Sequence, residues 1–222
     1  MFKFNVESNN SNMDLSWRKY LKVFLFLNLF LSFKSAKIDT NTLNQVLLTK
    51  HNEYRRKHGV PDLSLDNELI KLAQDYSAVL AYQSDIYYIA PSGNKNKNKE
   101  NVGENIFTCT SILKTQCYNE GSTKPVDDWY NEINNYNFND PGFTIDSAHF
   151  TQLIWKSTTR LGCGASVRAD GLTYKVVCNY YTAGNIVDAN KYSENVLPVT
   201  EYSNILKLNN FLIFILLIIF IN

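Results

Sequence analysis

An excess of charge of either sign is missing from this chain. Its 222 residues carry 22 Lys and Arg against 21 Asp and Glu, a formal net charge of +1, so nothing marks a surface for nucleic acid or another polyanion. Cysteine is scarce: Cys109, Cys117, Cys163 and Cys178 are the four present, and no two have zinc-ligand spacing. No internal repeat is visible, which sets repeat architectures aside. Uninterrupted apolar runs stop short of the roughly 20 residues that a membrane-crossing helix requires. What is plentiful is aromatic side chain, 14% of the residues with 14 Tyr and 13 Phe, which argues for a packed fold rather than disorder. The length allows one or two domains and a core that stands without a metal. A mean hydropathy of -0.25 averages two apolar ends and a polar middle.

The ends read as addressing devices. Tyr20–Phe33 is a short apolar run behind Arg18 and Lys19 and ahead of Lys34-Ser35-Ala36, the pattern of a secretory signal peptide, with an uncleaved signal anchor as the alternative. Phe211–Ile221 has no polar residue and matches the tail of a glycolipid-anchor (GPI) signal; a short tail anchor or a buried core segment are the other readings. The expected organisation is a leader over 1–36, a domain over 37–190, a polar spacer over 191–210 and a hydrophobic tail over 211–222. The sole glycosylation sequon, Asn9-Asn10-Ser11, precedes the signal segment.

Four cysteines behind a signal peptide imply disulfides in an oxidising compartment, and sequence alone permits three pairings. Asp170-Gly171 is a two-residue hairpin signal between Leu161–Ala169 and Leu172–Tyr181, both rich in β formers. With Ala169 facing Leu172, the register sets Cys163 directly opposite Cys178, within reach of a cross-strand disulfide. Cys109–Cys117 then closes a short loop. Helical spacing fills much of the rest. Asp39 or Thr40 caps a first helix carrying Leu43, Val46, Leu47 and Tyr54 and ending at Gly59. Ser64 precedes a second, with Leu65, Leu69, Leu72, Ala73, Tyr76, Val79 and Leu80 at helical spacing. Pro125 opens a third with Val126, Trp129, Ile133 and Tyr136, and a fourth starts near Asp146–Ser147 with Phe150, Leu153 and Ile154. Ser92–Asn101 reads as a polar, low-complexity loop that does not pack. Helices around a short sheet give an α+β domain of about 150 residues.

Two segments concentrate the rare residue types. They are Ala148-His149-Phe150-Thr151-Gln152-Leu153-Ile154-Trp155-Lys156-Ser157-Thr158 and Val176-Val177-Cys178-Asn179-Tyr180-Tyr181-Thr182-Ala183-Gly184-Asn185-Ile186. Together they resemble the two signatures of the CAP superfamily, the cysteine-rich secretory proteins, antigen 5 and pathogenesis-related 1 proteins, also called SCP/TAPS. His51-Asn52-Glu53-Tyr54-Arg55 with His58-Gly59-Val60-Pro61, Gly103-Glu104-Asn105-Ile106 and Trp129-Tyr130-Asn131-Glu132 are similar to further motifs of that family, in its order. The resemblance implies a three-layer α-β-α sandwich with a short antiparallel sheet and a cleft lined by two His and two Glu. Carried over, the matches are Glu104, Glu132 and His149, while Pro91 stands where the family has its other His. One imidazole and two carboxylates are a reduced ligand set for zinc or another divalent cation. No cofactor is required by this reading.

Read from the residues themselves, the trio suits general acid/base work, a cation site, or a mutual brace between helices. No serine or cysteine nucleophile is apparent, and His51 and His58 read as structural or solvated. No cysteine-rich domain follows Ile186, so the ion-channel activity tied to that domain is not carried over. The resemblance thus implies a secreted or cell-surface binder of lipid, sterol or an extracellular protein, and the apolar run Phe211–Ile221 implies that it is tethered to the membrane. The alternative is a divalent-cation-dependent hydrolase or protease using Glu104, Glu132 and His149.

Overall fold

A computed structural model of the chain describes residues 39–83, 92–93, 98, 100–111 and 122–200. The leader, the apolar tail, Pro91 and Cys117 lie outside the described residues. Helix α1, Thr40–Lys57, starts where the Asp39 carboxylate accepts from the Asn41 and Thr42 amides, and the chain turns away at Gly59 with φ +66°. Its buried stripe holds Leu43 and Leu47, as the spacing predicts, and also several polar residues. Two of these each pair a whole peptide group. Asn44 donates to the Cys163 carbonyl and accepts from the Cys163 amide, both at 2.8 Å, while Asn52 does the same for Leu63 at 3.0 and 2.8 Å. A buried carboxamide that satisfies a peptide in both directions costs no lost hydrogen bond and fixes α1 to the sheet.

Strand β1 (Ser64–Leu65) and helix α2 (Asn67–Tyr82) correct the second helical expectation. Leu65 lies in a strand paired parallel to the later strand Arg160–Val167, and Asp66 is the cap that accepts from the Glu68 and Leu69 amides. Val79 is 48% exposed, off the packed face. Strand β2 is Gly103–Thr110; helix α3 runs Lys124–Asn131 with Pro125 in its first turn and tightens into a 3₁₀ turn, Glu132–Asn135. A second 3₁₀ turn, Ile145–Ser147, leads into α4, Ala148–Ile154, followed by β3 (Arg160–Val167), β4 (Thr173–Tyr181) and α5 (Ala189–Asn195).

The sheet order is β1-β3-β4-β2, antiparallel throughout except for the two-residue edge strand β1. Its pleat sorts the rows. Gly162–Asn179–Glu104 and Gly164–Val177–Ile106 face α2, where Val177 and Ile106 pack with Ala73 and Leu80. Leu161–Tyr180 and Cys163–Cys178 face the other way, into the main core with Phe150, Trp129 and Leu47. Helix, sheet and helices thus form the three-layer α-β-α sandwich. The Cys163–Cys178 disulfide is present with Cα atoms 4.1 Å apart; Cys109 is disulfide-bonded as well.

The hairpin keeps the expected register but not the expected turn. Gly171 donates to the Arg168 carbonyl and Arg168 to that of Thr173, so residues 169–172 all belong to the loop, with Asp170 accepting from the Leu172 and Thr173 amides. Releasing one pair symmetrically from a hairpin leaves every remaining pair in place, so Cys163 still meets Cys178. The spacer also needs correction. Tyr192 is fully buried against Trp155, Val196 is 3% exposed, and Thr200 donates to the Lys57 carbonyl at 2.9 Å. Residues 191–200 therefore belong to the fold.

Candidate functional site

Glu132 stands at the point where α3 tightens, and His149 is the second residue of α4. The turn aims Glu132 at the free amides of the α4 N-terminus, so one carboxylate oxygen accepts from the His149 and Phe150 amides at 2.9 and 3.2 Å. The other accepts from His149 Nδ1 at 2.6 Å. Since a carboxylate only accepts, Nδ1 carries a proton, and in the neutral form of the ring Nε2 is the remaining lone pair. The ring lies stacked on Trp129, centroids 6.1 Å apart, and its side chain is 37% exposed. A carboxylate-oriented imidazole with a free Nε2 can accept a ligand's hydrogen bond, take a proton, or ligate a metal.

Glu104 does not join this pair. Successive strand residues face opposite sides, and Asn105 turns towards α4 to donate to the His149 carbonyl at 3.0 Å. Glu104 therefore turns towards α2, where its neighbours are Asn179 and Tyr76. Its two oxygens accept from the Ser92 amide at 2.8 Å and the Ser92 hydroxyl at 2.6 Å. Burial pushes its carboxyl up from the usual range, and the Ser92 bonds oppose that. So Ser92, read from the sequence as part of an unpacked loop, is a fixed partner of the site. Glu100, in the same segment, accepts from the Tyr181 hydroxyl at 2.8 Å.

The trio does not fit a divalent cation as one ligand set. Among the described residues no three His, Cys, Asp or Glu side chains come together, and the carboxylate oxygens of Glu104 and Glu132 already accept from protein donors. A surface groove on the outer side of α1, lined by Gln45, Thr49, Lys50 and Glu53, is separate from these residues.

Sequence reading missed a buried relay behind His149. His51 Nδ1 donates to the Leu47 carbonyl at 2.7 Å, so its Nε2 accepts from the Tyr180 hydroxyl at 2.8 Å. Tyr180 in turn accepts from Asn105, the residue that also holds the His149 carbonyl. The signal lay in the motifs themselves, because Asn105 and Tyr180 sit inside two of them. Burial, with a smaller opposing bond to Leu47, pushes His51 down to about 4. Its unfolded value is near 6.5, so the unfolded chain gains a proton that the folded chain refuses as pH falls from about 6.5 to about 4. Stability is then full above that window and declines through it by about 3 kcal/mol. His58, also buried and shifted down by burial, adds in the same direction. Urea denaturation at pH 7 and pH 4.5 checks this: the difference shrinks in His51→Gln, and an unchanged difference removes His51 as its source.

Comparison with known proteins places this geometry. Residues 48–180 match the profile of the Cysteine-rich secretory protein family, CAP. Golgi-associated plant pathogenesis-related protein 1 of Homo sapiens is 40% identical over 163 residues, 73% of this chain and 97% of that protein. Protein PRY2 of Saccharomyces cerevisiae is 31% identical over 69% of this chain and 40% of its own length; Secreted protein RBT4 of Candida albicans is 34% identical over 64% and 36%. The chain thus spans nearly all of the human relative and well under half of these two fungal ones. Among solved structures, Na-ASP-1 superposes with a TM-score of 0.56 at 19% identity, over 72% of this chain and 43% of that one. NaASP2 with Zn2+ superposes at 0.54 and 20% identity, over 71% and 88%. The likeness to these structures is one of fold, and the sequence relationship carries the rest: the chain belongs to the CAP family, the cysteine-rich secretory proteins.

Proposed function

We propose that this chain is an extracellular CAP-domain protein that works by binding a lipid, a sterol or a protein partner at the Glu132–His149 end of the domain, not by hydrolysis. The observation that carries this reading is the state of the polar atoms. Glu132 braces α3 against α4, Glu104 clamps Ser92, and neither is poised over a common point where a reacting atom could sit. Every described cysteine is held in a disulfide, which removes the thiol nucleophile and favours an oxidising compartment. A relative named as a secreted protein supports the same destination. The C-terminal run 211–222 would tether it to a membrane.

The test uses the full chain made in a secretory host. Labelled sterol and fatty acid are offered to it, zinc is titrated calorimetrically, and ester and peptide substrates are followed for turnover. Lipid binding without turnover supports the proposal. Turnover that requires zinc and is lost in both Glu104→Ala and His149→Ala overturns it in favour of the cation-dependent hydrolase. Phospholipase treatment of cells displaying the protein checks the tether separately: release marks a glycolipid anchor, and retention a tail anchor.

A further inference from the structure

Two loops flank the first turn of α4. One, before it, carries Phe143 and Ile145, which are 48% and 74% exposed; the other, after β4, carries Ile186 and Val187 at 50% and 84%. Among the described residues, the other large hydrophobics exposed to this degree are Val79 and Tyr82 on α2. Each loop is pinned to the fold, the first by Asn135 and the second by α4. Asn135 donates to the Asp146 carbonyl at 3.0 Å beneath the first. In the second, Asn185 donates to the Ala148 carbonyl at 2.8 Å and accepts from the Thr151 hydroxyl at 2.6 Å. Asn185 holds the left-handed region, φ 55°, to do so. These apolar side chains are therefore presented on a fixed backbone at the end of the domain where α4 begins.

The charged residues within the two loops are acidic. Residues 132–155 and 182–190 contain Glu132, Asp140, Asp146 and Asp188 and no lysine or arginine; Lys156 and Lys191 bound the two stretches, and Lys191 lies within electrostatic range of Asp188. Asp140 and Asp146 are exposed and form no ion pair among the described residues. Asp188 spends one oxygen capping α5. An anionic bilayer would be repelled by this rim. A second copy related by a two-fold axis would set the same acids against one another. A protein segment bearing cationic side chains among aliphatic ones satisfies both the apolar surface and the carboxylates.

We infer that the α4 end of the domain docks a basic, aliphatic-rich segment of a partner protein, seated on Ile145, Ile186 and Val187 and paired with Asp140 and Asp146. This names the partner class for the binding reading above and rests on it. Its test measures fluorescence anisotropy of a labelled fourteen-residue peptide of leucine and lysine at helical spacing with the full chain. A leucine–glutamate peptide of the same spacing and phosphatidylcholine vesicles with and without phosphatidylserine serve as counter-probes. The lysine peptide is expected to bind and to weaken with salt. Binding should drop at least tenfold in Ile145→Ser with Val187→Ser, and again in Asp140→Lys with Asp146→Lys, while circular dichroism and the urea midpoint stay unchanged. Equal binding of both peptides, wild-type affinity in both double variants, or preference for vesicles overturns this surface. Those results leave the lipid and turnover assays to judge the wider reading by themselves.

Discussion

Replacing Gly164 by alanine is expected to cost about 3 kcal/mol of folding free energy, near the upper end of what overpacking does. A Cβ at that position falls on the backbone of Gln74 and 2.5 Å from the Ala73 carbonyl carbon; at Gly162 it falls on the Ile70 nitrogen and the Leu69 carbonyl carbon. The obstacle in each case is helix backbone, which has no rotamer to change. Helix α2 must lift by about 1 Å to restore ordinary contact. Lifting opens the layer where Ala73, Leu80, Val177 and Ile106 pack and draws α2 away from Glu104 and Asn179. The two sites share this one response, so the double variant should cost less than the two single variants added together. Gly142→Ala is the control, because a Cβ there meets nothing within 4 Å, and its urea midpoint should stay within about 0.5 kcal/mol of the parent. If Gly164→Ala behaves like Gly142→Ala, the close approach of α2 is not what these glycines secure.

Those glycines show where sequence reading succeeds and where it stops. The run Leu161–Ala169 is recognisable as a strand, and the register follows from the position of the turn even though the turn itself is wider than two residues. Register depends on which residues lie symmetrically about the loop, not on the loop's conformation. That Gly162 and Gly164 sit on one face is also in the alternation, but which layer needs the space is a property of α2. Glu104 makes the same point for the site. Motif resemblance supplies residue types without supplying faces, and period-two alternation along Gly103–Thr110 then sets Glu104 and Asn105 on opposite sides of the sheet. The segment 191–200 was hidden differently. Tyr192 lies on a helix too short to show a period, among polar neighbours, and Val196 is the residue that caps its C-terminal end. His51 and His58 are both structural. Their burial follows from the stripe they share with Leu47 and Tyr54, whereas their partners, Tyr180 and Tyr130, come from distant parts of the chain.

Arg55→Met should be more damaging than any surface substitution, with an expected loss of about 4 kcal/mol. The guanidinium is fully buried at the end of α1 and, among the described residues, has no carboxylate in contact. It donates instead to four backbone carbonyls, those of Pro61 at 2.7 Å, Leu153 at 3.0 Å, Trp155 at 2.9 Å and Thr158 at 3.0 Å. Leu153 and Trp155 supply carbonyls at the C-terminal end of α4, where the helix leaves acceptors unsatisfied and its dipole is negative. One cation thus closes the end of α4, the turn into β3 and the loop after α1. Burial pulls it down to about 10, which leaves it charged at neutral pH. Methionine fills similar space and strands four buried acceptors, each worth about 1 kcal/mol when it loses its donor. Lysine keeps the charge but has a single nitrogen, which cannot span carbonyls arranged around a planar fork, so Arg55→Lys should recover only part of the loss. Urea denaturation of the three proteins at pH 7 decides this. The expected order is Arg, Lys, Met; a lysine variant as stable as the parent would show that charge alone, not the fork, is what this position requires. The helix this residue closes also carries His149, so in Arg55→Lys the exchange protection of the His149 and Phe150 amides should fall before global unfolding does.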